Sequence, residues 1–123
     1  MQALTENHFL LFYDIYELIL TLEETFQYIA EHFNQLSLEE EEVLLRKILQ
    51  AFGGLEQAER RLEEMEDVLQ LPPFSPVLDE VERLGWYFGN AEARRLAVRD
   101  RLLSVFTEWA EAAKDHIRPI IIS

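Results

Sequence analysis

Cysteine is absent from these 123 residues, and that absence removes disulfide scaffolding, thiolate metal sites and cysteine nucleophiles together. Positive charge is scarce. Eleven Lys and Arg face 24 Asp and Glu, a formal net charge of -13, which disfavours nucleic acid and anionic membranes as partners because both are polyanions. Glycine is also sparse, and neither G-x-x-x-x-G-K-[ST] nor G-x-G-x-x-G occurs, so no Gly-rich phosphate loop is available. Long apolar runs are missing too. The most apolar stretch, from His8 to Leu22, is interrupted by Asp14 and Glu17 and lacks a basic flank and a small-residue cleavage pattern, so it reads as neither signal peptide nor membrane span. With no cysteine to carry a lipid and glutamine rather than glycine after the first Met, a cytoplasmic location is expected.

What remains is enough for a core. Apolar residues make up 49% of the chain and include 8 Phe, 4 Tyr and 2 Trp, sufficient to offset chain entropy and support one domain over residues 1–123. The apolar residues recur with helical spacing. Phe12, Ile15, Ile19, Leu22, Phe26, Ile29, Phe33 and Leu36 alternate steps of three and four, the stripe of an amphipathic helix over about 5–34, with Glu17, Glu24 and Glu31 on its other side. Ser37 and Glu40 form an S-x-x-E capping box that starts a second helix, and Glu39 to Glu42 suit its electropositive N-terminus.

Gly53-Gly54 costs about 2 kcal/mol relative to two alanines in a helix interior. Even so, Leu44, Ile48, Ala51, Leu55, Ala58, Leu62, Met65 and Leu69 hold their phase across it, which predicts one helix over about 38–70. The glycines then mark a bend, a close approach or a hinge. Prolines at 72, 73 and 76 end that helix. A short helix follows over about 76–88 on Val77, Val81, Leu84 and Phe88, with Asp79 and Arg83 spaced to pair. Gly89-Asn90 reads as a stop followed by an N-cap. A last helix over about 91–116 buries Leu96, Val98, Leu102, Val105, Phe106, Trp109 and Ala113, and Pro119 ends it before an Ile120 to Ile122 tail. The expected fold is all-α, an antiparallel bundle of long helices.

Catalytic patterns are weak. No Glu-x-x-His pair serves a di-metal site, and His8 and His32 stand about 36 Å apart on one helix. No Arg precedes a His at the spacing of helical ribonucleases. The nearest enzyme pattern is that of all-α nucleotide pyrophosphatases, which hold magnesium with an E-E-x-x-E run and a later E-x-x-D. Glu63, Glu64 and Asp67 give E-E-x-x-D, while Asp79 and Glu82 give the second half reversed. A magnesium-dependent pyrophosphatase is therefore the enzyme alternative. No cofactor is expected.

Recognition surfaces are better candidates. Between Met1 and Leu45 stand Glu6, Asp14, Glu17, Glu23, Glu24, Glu31 and Glu39 to Glu42, and not one Lys or Arg. Arg94, Arg95, Arg99 and Arg101 form a basic cluster that either pairs with the acidic face of the first or second helix or binds an anion. Leu10, Tyr13 and Leu20 point away from the helix seam. Either the C-terminal region covers them, or they meet a second copy or another protein. Phe74, Trp86 and Tyr87 lie near chain breaks and serve either as partner anchors or as the plug of the bundle end.

In size, acidity and helical content the chain resembles the small acidic helical chaperones that hold secretion or flagellar substrates, a likeness of composition and architecture. The expected function is non-enzymatic protein binding by an adaptor-like or chaperone-like bundle, possible as a homodimer, with a purely structural domain as the other alternative.

Overall fold

The computed structural model describes residues 6–65, 71–87 and 89–121. Helix α1 spans Glu6–Glu31 and α2 spans Leu38–Glu64. Helix α3, Ser75–Arg83, continues into a 3₁₀ turn at Leu84–Tyr87. Helix α4, Ala91–Ala97, passes through a π turn at Val98–Leu102 into α5, Leu103–Ile121. Among the described residues there is no strand, and the fold is the all-α bundle that the spacing predicts.

Helix α1 is the central element, packed against both α2 and α5. Its stripe from Phe12 to Phe33 is buried at every position of the three-four alternation. The chain reverses after α1 through amides of Gln35 and Leu36 bonded to the His32 carbonyl. The capping box then opens α2: Ser37 Oγ accepts from the Glu40 amide at 3.1 Å, and the Ser37 amide donates to the Glu40 carboxylate at 3.3 Å. Helix α2 runs antiparallel to α1 without interruption through Gly53 and Gly54. A methyl on Gly54 would lie 3.5 Å from Leu18 Cδ1, so this is where α1 comes close.

Five aromatic side chains tie the elements together. Phe26 meets Phe106 at 5.2 Å, Phe52 meets Phe74 edge-on at 5.4 Å, and Phe74 meets Trp109 edge-on at 4.7 Å. Each such burial contributes about 1.5–3 kcal/mol before any ring-geometry term. The proline linker is clamped from both sides. Trp109 Nε1–H donates to the Pro72 carbonyl at 2.9 Å, and the Phe74 amide donates to the Glu59 carboxylate at 2.9 Å. Helix α5 returns along α1, where buried Lys114 reaches Glu23 at 2.7 and 3.0 Å.

The break between α3 and α4 is built as expected. Gly89 adopts φ +83, open to glycine without a Cβ penalty, and Asn90 Oδ1 caps α4 by accepting from the Ala93 amide at 3.0 Å.

Several boundaries differ from the sequence reading. Helix α2 ends at Glu64, with Met65 extended and its amide bonded to the Leu62 carbonyl; Asp67, Leu69 and the rest of 66–70 lie outside the described residues, as do Thr5, Phe88 and Ile122. The proline linker beyond it folds back onto the bundle, where the Phe74 amide bonds the Glu59 carboxylate of α2 and Trp109 holds the Pro72 carbonyl. Pro119 does not stop the last helix, which continues to Ile121. Proline there forfeits only the bond to the Asp115 carbonyl, while Ile117 is buried and Ile120 and Ile121 pack against the core. Leu96 stays outside at 38% exposed, because the π turn directs Ala97 and Val98 inward instead. Arg83 pairs with Glu80, its i,i+3 neighbour, rather than with Asp79.

Candidate protein-interaction surface

The outer face of α1 carries the apolar residues that its seam does not use. Leu10 is 47% and Tyr13 45% exposed, Phe9 beside them is exposed as well, and Leu20 is half-buried. The end of α5 covers a different flank of α1: Ile117, Ile120 and Ile121 pack against the core, and the Tyr16 phenol is near enough to Arg118 to raise the guanidinium pKa. Leu10 and Tyr13 therefore remain open to solvent. Carboxylates border them. The charge of Glu17, and a hydrogen bond to it, hold the Tyr13 phenol above its ordinary pKa.

Of the loop aromatics, Phe74 is no surface anchor. It is 0% exposed, held between Phe52 and Trp109 as the plug of the bundle end. The linker it follows is clamped too tightly to present it. Trp86 is 76% exposed on the 3₁₀ turn, and half-buried Tyr87 accepts from Arg101 Nη1 at 3.3 Å.

The arginine cluster is engaged within the chain. Arg95 bonds Glu41 and Glu92 and donates to the Phe33 carbonyl at 2.7 Å. Burial pushes its pKa down, but the Glu92 and Glu41 carboxylates outweigh that and raise it. Arg94 approaches Glu42 at 3.7 Å, and Arg99 forks onto Asp100 at 2.6 and 3.0 Å. The Arg95 and Arg99 guanidiniums lie 4.4 and 4.3 Å from the Phe33 ring centroid, within cation–π range. The cavity between Ile29, Phe33, Leu45 and Val98 measures about 30 Å³, room for one or two waters rather than an organic anion. Pairing with Glu41 and Glu42 near the start of α2 accounts for Arg94 and Arg95; Arg99 pairs with adjacent Asp100, and Arg101 donates to the Tyr87 phenol of the 3₁₀ turn.

Among the described residues, no three His, Asp or Glu side chains converge to hold a metal ion. Glu63 and Glu64 are exposed on the last turn of α2, and Asp79 is exposed on α3. No helix among the described residues is long and apolar enough to cross a membrane.

Residues 11–112 match the family described as Domain of unknown function (DUF8042). The chain belongs to this family. The matched span holds Tyr13, Leu20, the aromatic cluster and all four cluster arginines, so the features above sit within the family domain, with Leu10 just before it. No curated protein and no solved structure matches the chain.

The structure adds surface residues that the sequence reading passed over. Tyr28 on α1 and Val43 on α2 are exposed and line an open groove with Leu44, Glu39 and Glu40. The signal was present for Tyr28, which stands five helical turns after Leu10 and so faces the same way. Lys114 was legible too, because it falls in the buried row of Ala110, Ala113 and Ile117.

Proposed function

We propose that this chain is a non-enzymatic protein-binding bundle that receives its partner on the outer face of α1. The observation that carries this reading is the exposure of Leu10 and Tyr13 on a helix whose opposite face is already saturated by the core. Apolar side chains grouped on one exposed helix face mark contact sites in soluble domains. A purely structural domain would leave that face without a purpose, and among the described residues nothing covers Leu10 or Tyr13.

Site-specific photo-crosslinking in the native cell extract tests it. A crosslinking side chain at position 10 or 13 captures one defined partner band, and the same group at exposed Gln57 on α2 does not. Equal capture from all three positions, or none, rejects the reading. Magnesium-dependent release of pyrophosphate from nucleoside triphosphates, abolished by Glu64→Gln, would put the enzyme alternative in its place.

A further inference from the structure

The acidic-apolar face of α1 has a charge pattern that selects its occupant. Leu10 and Tyr28 are eighteen residues apart, five turns of helix and about 27 Å, so they project on one side. Tyr13, Glu17, Leu20 and Glu24 fall between them on that side. At the Tyr28 end the face continues onto α2 through Val43, with Glu39 and Glu40 on the rim. The chain has no Lys or Arg before Arg46. Cations from elsewhere in the chain pair, among the described residues, with only three carboxylates of this region: Lys114 reaches Glu23, Arg95 reaches Glu41 and Arg94 reaches Glu42. Among the described residues, no Lys or Arg lies within ion-pairing distance of Asp14, Glu17, Glu24, Glu31 or Glu39.

We infer that the face binds a basic amphipathic helix, one with Lys or Arg flanking an apolar stripe, and not a second copy of this chain. This rests on the protein-binding reading above and names the partner's chemistry. A two-fold contact lays α1 on α1, and across that helix pair each Asp or Glu meets another carboxylate, since α1 carries no Lys or Arg. Such a contact must also bring together two chains of net charge -13. A basic helix instead sets leucine-like side chains on Leu10, Tyr13, Leu20 and Tyr28, with cations opposite Glu17 and Glu24. That is the helix-in-groove mode of recognition with charge fixing the register.

The probe is a synthetic leucine-lysine peptide of about five helical turns, roughly 18 residues, followed by fluorescence anisotropy. Its controls are a sequence-scrambled peptide of equal composition and a version with glutamate for lysine. The amphipathic basic peptide binds, and both controls bind at least about tenfold more weakly, because scrambling destroys the stripe and glutamate reverses the charge. Glu17→Gln/Glu24→Gln weakens binding about fivefold, whereas Glu63→Gln/Glu64→Gln, the same charge removed from the end of α2, changes it less than about twofold. Leu10→Ser/Tyr13→Ser also weakens it while circular dichroism stays that of the wild type. Equal binding of the scrambled peptide, or equal effects of the two Gln pairs, overturns the inference by showing attraction to bulk charge. Light scattering separates the two levels. A wild-type dimer that Leu10→Glu/Leu20→Glu dissociates overturns the basic partner in favour of a second copy yet leaves protein binding by this face intact. Failure of the position-dependent crosslink removes both.

Discussion

Replacing Glu23 with leucine will cost more stability than replacing Lys114 with methionine, although both changes break the same ion pair. The reason is unequal access to water. The Lys114 side chain is 8% exposed, that of Glu23 28% and that of Glu111 58%. Without Glu23, the ammonium keeps only Glu111 at 3.2 Å and cannot rehydrate. Breaking a fully buried pair costs about 3–5 kcal/mol, and the surviving Glu111 contact brings the expected loss nearer ~2 kcal/mol. Lys114→Met keeps most of the packed stem and strands carboxylates that solvent already reaches, so its cost is about 1 kcal/mol. The double variant Glu23→Leu/Lys114→Met should lie closer to wild type than the sum of the singles, with a coupling energy of about 1–2 kcal/mol. Urea unfolding followed by far-UV circular dichroism measures all four proteins. Additive singles, or Lys114→Met as the costlier of the two, would refute the reasoning. The pair also has a pH signature. Burial pulls the Lys114 pKa down, but Glu23 and Glu111 outweigh it and the net shift is upward from 10.5. A cation whose pKa is raised on folding contributes fully below its unfolded value and loses that contribution as pH climbs through the folded one. The stability gap between wild type and Lys114→Met therefore stays constant from neutral pH to the lysine range and narrows above 10.5.

Other outcomes follow from the same packing. Phe74→Ala should lose about 3–5 kcal/mol in urea unfolding, as a core plug does, while Trp86→Ala, at a mostly exposed site, should stay within about 0.5 kcal/mol. Gly53 is helical, and a methyl placed on it would meet nothing within 4 Å, so Gly53→Ala should gain about 1 kcal/mol in a thermal melt. Gly89→Ala should lose about 1–2 kcal/mol, since φ +83 crowds a Cβ against the backbone.

The seam of α1 was legible because amphipathic spacing is local: each of its residues reports on its own face without knowledge of the rest of the chain. Ser37 with Glu40 and Gly89 with Asn90 were legible for the same reason, being caps whose donors and acceptors lie within three residues. The end of α2 was not, because it answers to Glu59 holding the Phe74 amide, a contact between residues fifteen apart. Nor was the helical state of Pro119, which depends on Ile117, Ile120 and Ile121 packing against the core. Phe52 escaped notice beside Ala51, whose spacing fitted the narrower stripe; the aromatic cluster widens the face that α2 buries. For the candidate surface, Leu10 and Tyr13 could be read as facing away from the seam. That α5 would cover Tyr16 and leave those two open could not, since it depends on how α5 lies across α1.

The π turn at Val98–Leu102, closed by the Leu103 amide on the Val98 carbonyl, sets a rotational offset between the two ends of the last helical arm. Downstream, Phe106 and Trp109 face the aromatic core; upstream, Arg95 faces Phe33 and Glu41. Removing one residue from that turn would give an ordinary α-helix and swing the upstream arginines by about 100° around the axis. Helix content would hardly change. The lost residue would act as a twist, uncoupling Arg94 and Arg95 from α2 while leaving every side chain that forms their contacts in the protein.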